Sequence, residues 1–208
     1  IHGVGLDHSI WDPQINEFDN TVLIYDILGH GKTPLNKNDL SFDDFSDQII
    51  NLMDELKFNK VHLVGFSIGS LIARNFATRF NDRLASLTLL CSIFNRSDKE
   101  QKIVNDRFEQ TKKDHKLTKD ALKRWFTEDF LNKNPGISDK IFNILQNNNM
   151  NNFIKIYSLF VKHKDNEKFE NINTKTLVIT GEGDVGSTPE MSINSVSYTH
   201  LRAHETLR

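Results

Sequence analysis

Ser67 is the residue whose surroundings in the sequence most directly suggest chemistry. It lies between Gly65 and Gly69 in the stretch VHLVGFSIGS, after a strand-like run and before a helix-like run. A serine flanked in this way is the pattern of a nucleophile held in a sharp strand-to-helix turn, where side chains at the glycine positions would collide with neighbouring elements. The alternative interpretation is a glycine-rich helix start that Ser67 only caps.

Two further stretches could complete a site for acyl transfer. The segment HGVG at 2–5 follows what we interpret as a strand end, upstream of Ser67. The backbone amide of Val4 in this segment could pair with that of Ile68, the residue after Ser67, to stabilise an oxyanion. Each amide would lower the barrier by about 3 kcal/mol. Asp184 comes just after the apolar run TLVIT, where a carboxylate could orient an imidazole. An ordinary loop aspartate is the alternative for Asp184.

The elements that must position these residues alternate between apolar β-rich runs and helical patterns. This alternation predicts an α/β protein with a parallel sheet. Continuous apolar runs are typical of strands covered on both faces. We predict helices after the cap residue Ser41, with Asp44 at the third position, and over 68–80. The predicted strands are 21–27, 61–66, 85–92 and 174–182.

Between the last two predicted strands lies a long segment with aromatic residues at helical spacing. We predict a core of strands and helices over 1–96 and 169–194, interrupted by a helical cap insertion over 97–168. An apolar pocket under this cap is one interpretation of the aromatic residues, and a helical core is the other. The candidate pocket residues are His8, Trp125, Phe126, Phe130, Phe153 and Tyr157.

Four motifs together resemble the α/β-hydrolase-fold enzymes. In chain order they are IHGVG…W, YDILGHGKT, HLVGFSIGS and LVITGEGDVGSTP, and they are most similar to the small esterase, lactonase and enol-lactonase branch. The resemblance implies an α/β-hydrolase fold, with a mostly parallel sheet, helices on both faces and a helical cap. It implies four site residues, which are the nucleophile Ser67, the oxyanion-hole residues Val4 and Ile68, and the acid Asp184. Leu28 and Ser70 depart from the family's usual arginine and glycine, and we interpret both as structural.

The catalytic histidine is missing from its expected place. The family's chain order is Ser, Asp, His, but only His200 and His204 follow Asp184, with no apolar strand between. The ending SVSYTHLRAHETLR resembles a translated sequencing adapter. We therefore expect 195–208 to be a non-native tail, the chain to be truncated at both ends, and the true base to lie on sequence beyond it. Such a fragment would be nearly inactive and poorly stable.

The other histidines have structural interpretations. His2 and His30 lie in glycine turns, where a ring can brace the backbone. His62 alternates into a strand and is expected to be packed. His115 and His163 lie in lysine-rich sequence and are expected to be solvated.

Composition excludes several classes of partner. The 208 residues carry a formal charge of −2, which gives no basic bias toward nucleic acid or an anionic membrane. No apolar run approaches the roughly 20 residues of a membrane helix. Cys91 stands alone, so no intramolecular disulfide can form, and no spacing suggests a metal or another cofactor. A cytoplasmic location is favoured only because nothing contradicts it.

The leading hypothesis is a serine hydrolase that cleaves a small carboxylic ester or lactone through an acyl-enzyme. Its only expected partner is the small-molecule substrate, and the oligomeric state stays open. A non-catalytic protein of the same fold that binds a small ligand is the alternative from another class. Carbon–carbon bond hydrolases and haloperoxidase-like enzymes use the same serine and also stay open.

Overall fold

Three parallel strands form the centre of the described chain. The computed structural model describes residues 1–115, 120–165 and 172–197. Within them the strands are β1 (Val61–Phe66), β2 (Leu84–Leu90) and β3 (Thr176–Ile179), in the order β1-β2-β3. Because both pairs are parallel, the carboxyl ends of all three strands meet at one edge of the sheet.

Helices precede and follow the sheet and occupy the chain between β2 and β3. Those before β2 are α1 (Asp12–Ile15), α2 (Phe42–Glu55) and α3 (Ile68–Arg79). Between β2 and β3 come α4 (Asp98–Asp114), α5 (Asp120–Trp125), α6 (Glu128–Lys133), α7 (Pro135–Gln146) and α8 (Met150–Lys162). After β3 comes α9 (Pro189–Ser197). Of the helices described, none combines the length and apolar character needed to cross a bilayer.

Helix α2 begins where the sequence predicts. The Ser41 amide and hydroxyl both donate to Asp44 Oδ2, at 2.7 and 2.9 Å, and this capping box fixes the start of the helix. Phe45, Ile49 and Met53 then recur along one stripe and are buried. Helix α2 packs on α3, and α3 packs on β1 and β2, so this stripe helps to fix the helix that follows Ser67.

The predicted strand at 21–27 is not found as a strand. The segment is extended without ladder partners, and its first residues are exposed, with Val22 at 38% and Leu23 at 40%. Only its end is buried, where the Ile27 amide donates to His2 Nε2 at 3.0 Å. Apolar composition favours an extended backbone, but a strand also needs a neighbouring backbone to pair with, and none of the described segments supplies one.

The strands are also covered less evenly than predicted. In β1, Leu63 and Gly65 are buried while Val64 is half-buried. Successive side chains face opposite sides of a sheet, so one face is more deeply buried than the other. Helix α3 packs on β1 and β2. His62, predicted to be packed, is instead exposed, and its Nδ1 lies 2.7 Å from Ser86 Oγ.

A buried ion pair joins α3 to both ends of the helical segment. Arg74, 1% exposed, donates from Nη2 to Asp165 Oδ1 at 2.5 Å and from Nη1 to the Ile93 carbonyl at 2.9 Å. The Asn95 amide donates to Asp165 Oδ2 at 2.6 Å. His163 was expected to be solvated, but its side chain is 4% exposed and lies 3.3 Å from Asp165. The lysines around it in sequence gave the wrong expectation because its ring packs against Phe42 at the start of α2, with centroids 5.4 Å apart.

Asp165 stays ionised in this buried position. Burial raises the pKa of its carboxyl group, but hydrogen bonds from His163 and the charge of Arg74 outweigh that effect and hold the pKa well below its usual value. The paired charges therefore compensate each other inside the protein.

We expect Asp165→Asn to lower the free energy of unfolding at pH 7 by about 3 kcal/mol, because it leaves the Arg74 charge buried without its carboxylate. Chemical denaturation measures this loss. The control is Asp106→Asn, which breaks an exposed i,i+4 pair with Lys102 and should cost less than about 0.5 kcal/mol. Equal losses in the two variants would contradict the assignment.

Candidate active site

Ser67 occupies a strained turn between β1 and α3. Its φ of 55° and ψ of −119° fall in a region that costs any residue with a Cβ on the order of 1–3 kcal/mol. The Ser67 amide donates to the Leu90 carbonyl at 2.9 Å, which ties the turn to the end of β2. Its side chain is half-buried at the carboxyl edge of the sheet. Such strain at an accessible serine is typical of a nucleophile elbow.

The two glycines around Ser67 are required by close backbone contacts, as the sequence predicts. A Cβ at Gly65 would lie 2.2 Å from the Gly69 carbonyl oxygen. A Cβ at Gly69 would lie 2.7 Å from the carbonyl oxygens of both Ile1 and His2. Only glycine lets β1, α3 and the 1–3 segment approach this closely.

The two predicted oxyanion donors come from different parts of the chain. Ile68 directly follows Ser67, and Val4 belongs to an N-terminal loop that packs against the turn. Gly3 packs beside Ser67, since a Cβ on Gly3 would be 3.4 Å from the Ser67 Cβ, and Val4 is the next residue. The Leu6 amide donates to the Gly3 carbonyl at 3.2 Å and closes a turn that contains Val4. The Ile68 amide begins α3, where an N–H has no acceptor within the helix and lies at the positive end of its dipole. Their joint role as an oxyanion hole stays a prediction.

His2 and His30 brace the backbone around this loop. His30 Nε2 accepts the Gly5 amide at 2.8 Å, and His2 Nε2 accepts the Ile27 amide. His2 Nδ1 then donates to the Gly3 carbonyl at 2.8 Å. Burial lowers the pKa of His2 to about 3 and that of His30 to about 4, so both rings are neutral near pH 7. Their predicted structural role is confirmed by these contacts.

His8 also makes a structural contact. Its backbone amide donates to Asp26 Oδ1 at 2.8 Å, and its ring Nδ1 lies 2.7 Å from the same oxygen. The Lys32 amide donates to the other oxygen at 3.0 Å. Asp26 is 6% exposed, so its carboxylate joins the loop after the predicted oxyanion donors to the turn that follows 21–27. A place for His8 at a pocket mouth stays a prediction.

Asp184 lies beyond β3, at the same edge of the sheet as Ser67. Its Oδ1 accepts the amides of Gly186 and Ser187 at 2.7 and 2.9 Å. The Ser187 hydroxyl donates to the carbonyl of Cys91, which follows β2, at 2.8 Å. Burial, together with the nearby Asp184 charge, raises the pKa of the Cys91 thiol to about 11. The links through Ser187 and Cys91 have no signal in the sequence.

No described histidine partners Asp184. Every histidine in residues 1–115, 120–165 and 172–197 has its polar contact elsewhere: His2 with Gly3 and Ile27, His8 with Asp26, His30 with Gly5, His62 with Ser86, His115 with the Lys112 carbonyl and His163 with Asp165. His200 and His204, and the predicted tail beyond residue 197, lie outside the described residues. A search of the same residues found no group of three or more side chains suited to a metal ion.

Three of the predicted pocket aromatics lie near the loop that carries Val4 or near Ser67, or stack on a residue that does. Phe153 packs directly against Gly5. Phe126 joins an apolar cluster that includes Phe66, the residue before the elbow serine, and it stacks on Phe130 with ring centroids 5.2 Å apart. This places Phe126 and Phe153 beside the elements that carry the candidate donors.

The other two predicted aromatics lie farther out. Trp125 is 45% exposed on α5. Tyr157 lies one turn after Phe153 on α8, with ring centroids 5.5 Å apart. The pocket role of both stays a prediction. Asn148, which the sequence analysis did not single out, donates to the Gly5 carbonyl at 2.7 Å and links the cap to the loop.

We expect Ser67→Gly to be more stable than Ser67→Ala by about 1 kcal/mol, because only glycine relieves the positive φ without a Cβ. Both variants remove the hydroxyl, so the comparison isolates the backbone strain. Urea denaturation of the pair measures the difference. Equal midpoints would show that the turn is not strained.

We expect the pKa of His30 to make stability fall as the pH drops below about 6.5. The folded pKa of about 4 lies below the unfolded value, so the unfolded chain binds the proton first and is favoured in acid. Between pH 7 and 5 this costs about 2 kcal/mol. The variant His30→Gln, which cannot titrate, should lose that much less over the same interval.

The control for this measurement is His115→Gln, at an exposed histidine, which should keep the wild-type dependence on pH. Identical slopes for wild type and His30→Gln would contradict the burial of a neutral ring at this position.

Comparison with known proteins agrees with this geometry. A (E)-2-((N-methylformamido)methylene)succinate hydrolase from Acinetobacter baylyi is 31% identical over 99% of this chain and 78% of its own. A 3-oxoadipate enol-lactonase from the same organism is 25% identical over 88% of this chain and 69% of its own.

Solved structures show the same fold. A hydrolase from Pseudomonas aeruginosa superposes with a TM-score of 0.85 at 18% identity, covering 99% of this chain and 80% of that one. An enol-lactonase from Burkholderia xenovorans gives a TM-score of 0.84 at 23% identity, covering 97% and 79%. The family profile described as the alpha/beta hydrolase fold matches residues 1–203. The elbow, the parallel sheet and these matches together show that the chain belongs to the α/β-hydrolase fold family of enzymes.

Proposed function

We propose that this hydrolase cleaves a small carboxylic ester or lactone through an acyl-enzyme on Ser67. The observation that carries the proposal is the strained Ser67 backbone at the start of α3, with a half-buried side chain beside Gly3. A fold gains nothing from this strain unless the hydroxyl is used, so it favours a catalytic role over a structural cap.

In the proposed reaction, Ser67 Oγ attacks the carbonyl carbon and its proton passes to a histidine base. The carbonyl electron pair moves to oxygen, where the amides of Val4 and Ile68 stabilise it. Collapse of this intermediate breaks the bond to the leaving oxygen, which takes the proton from the histidine. Water then attacks the acyl group, gives its proton to the base and releases the acid with Ser67 reprotonated. Asp184 holds the base in the productive tautomer, and that base lies outside the described residues.

The names of the relatives support a small activated acyl compound as the substrate. One relative is named for a formamido group on a methylene carbon, the other for an enol-lactone. In both names the acyl group is carried by a heteroatom attached to an alkene carbon. An enolate is a better leaving group than a simple alkoxide because an enol is the stronger acid, and an enamine leaves once its nitrogen or β-carbon takes a proton. The released enol or enamine then rearranges to a more stable tautomer, which makes cleavage more favourable. We extend this preference to the present chain.

In the full-length protein, which would carry the histidine base, we expect a fluorophosphonate probe to label Ser67, with mass spectrometry locating the adduct on the peptide that contains it. The variant Ser67→Ala should lose at least about 90% of the labelling, because the nucleophile is removed. The variant Ser86→Ala, which removes a hydroxyl on β2, should be labelled like wild type. Turnover of a small lactone such as dihydrocoumarin should follow the same order.

Labelling of wild type no greater than that of Ser67→Ala would contradict the proposal. It would favour the alternative of a non-catalytic protein of this fold that binds a small ligand. Labelling without turnover of any ester or lactone would instead favour one of the other reactions that use this serine.

A further inference from the structure

The side chain of Asn148 bonds to the loop that carries Val4. Asn148 is half-buried between α7 and α8, and its Nδ2 donates to the Gly5 carbonyl at 2.7 Å. The same nitrogen donates to the carbonyls of Ile144 and Leu145, in the last turn of α7, at 3.0 and 3.2 Å. Only the amino end of an amide can face three carbonyl oxygens, so these neighbours fix the orientation of the side chain. The bond to Gly5 is the shortest of the three.

The corner between α7 and α8 also packs against this loop. Gly5 has a φ of 77°, and a Cβ on it would lie 2.9 Å from the Phe153 ring and 3.0 Å from the Leu145 side chain. Farther along the loop, the Ser9 carbonyl accepts a hydrogen bond from Lys140 Nζ on α7 at 2.9 Å. The loop therefore lies directly on the two helices, and the Asn148 bond is part of a wider contact.

Two peptide groups connect the Gly5 carbonyl to the Val4 amide. The Gly5 carbonyl and the Leu6 N–H belong to one planar peptide group, and that N–H donates to the Gly3 carbonyl at 3.2 Å. The Gly3 carbonyl and the Val4 N–H belong to a second planar group. In a trans peptide the C=O and N–H bonds point in opposite directions, so fixing the oxygen also fixes the direction of the N–H. Asn148 therefore acts on the Val4 N–H through these two groups.

The Val4 amide is held in direction but has no acceptor among the described residues. The next amide along the chain does have one, since the Gly5 N–H donates to His30 Nε2 at 2.8 Å. The Gly3 carbonyl is held a second time by His2 Nδ1, also at 2.8 Å. An oxyanion hole needs donors that are oriented before the charge forms. Hydrogen-bonded peptide groups also polarise one another, which strengthens the last donor of the series.

We propose that Asn148 is a positioning residue for the oxyanion hole, which orients the Val4 N–H through the peptide groups of Gly5 and Gly3. This inference rests on the proposed function, because the direction of the Val4 N–H matters to the reaction only if an oxyanion forms at Ser67. One of the two donors then points at the reacting carbonyl oxygen only while the corner between α7 and α8 is docked on the loop. The helices between β2 and β3 thereby affect the rate of the chemical step as well as the shape of the pocket.

The test compares Asn148→Ala with wild type in the full-length protein, with p-nitrophenyl acetate and dihydrocoumarin as substrates. Removing a whole oxyanion donor lowers kcat by roughly 100- to 1,000-fold, so we expect a misdirected donor to lower kcat and kcat/KM together by about 10- to 100-fold. The control is Asn134→Ala. Asn134 Nδ2 makes the same kind of local bond at the end of α6, to the Phe130 carbonyl at 2.9 Å, without a bond to the loop. Its kcat should stay within about twofold of wild type.

Inhibition by butyl trifluoromethyl ketone separates the direction of the donor from a general loss of structure. Ser67 Oγ adds to its carbonyl carbon, the serine proton passes to the base, and the carbonyl oxygen becomes an oxyanion that mimics the one formed in the reaction. Partial unfolding lowers the number of active sites but leaves their Ki unchanged. We expect the Ki to rise about tenfold in Asn148→Ala and in Asn148→Asp, which keeps the side-chain volume but cannot donate when ionised. Asn134→Ala should keep the wild-type Ki.

Amide hydrogen exchange followed by NMR tests the same contact without turnover. In Asn148→Ala the Leu6 N–H should exchange at least about tenfold faster, while the Ser67 N–H, which donates to the Leu90 carbonyl, should be unchanged. If wild type hydrolyses neither substrate, the proposed function fails and the role of Asn148 is judged on the ketone and on this exchange. If wild type is active and both Asn148 variants keep its kcat and Ki, the positioning role is wrong while the proposed function stands.

Discussion

The backbone of Ser67 is the constraint on which the other parts of the site depend. A residue with a Cβ does not keep a φ of 55° and a ψ of −119° unless its surroundings hold it there. The Leu90 carbonyl fixes its amide, and Gly69 lies so close to the carbonyls of Ile1 and His2 that no side chain fits between them. The position of the nucleophile is therefore set by main-chain contacts among β1, β2 and the first residues, together with the Ser70 hydroxyl, which donates to the Ser67 carbonyl at 2.5 Å.

Features decided by nearby residues could be predicted from the sequence, and features decided by distant ones could not. The elbow, the strand at 61–66 and the Ser41 cap follow from glycine geometry, apolar runs and spacings of a few residues. The segment 21–27 has the same apolar composition, but pairing depends on a backbone partner elsewhere. His163 was misjudged for the same reason, since Asp165 binds Arg74, 91 residues away in the chain.

The same buried pair connects the nucleophile to the cap. Arg74 belongs to α3, the helix that Ser67 begins, and Asp165 follows α8. At the other end of α8, Asn148 donates to the Gly5 carbonyl beside the predicted oxyanion donor. The cap is thus held to both halves of the candidate site, the helix and the loop. A shift of α8 would disturb the loop and the nucleophile helix together, so the geometry of the pocket and the geometry of the chemistry are not independent.

Burial affects the histidines and the arginines of this region differently. Loss of water is enough to keep His2 and His30 neutral, because an imidazole starts with a pKa near neutrality. The same loss leaves Arg96 charged, because a guanidinium starts so much higher. The loop that carries the predicted oxyanion donor Val4 is therefore held by two neutral rings, while the positive charge of Arg96 lies between β2 and α4. On our proposal the core supplies chemistry common to many acyl compounds and the helices between β2 and β3 select among them, since function on a shared fold is set by the residues placed around it.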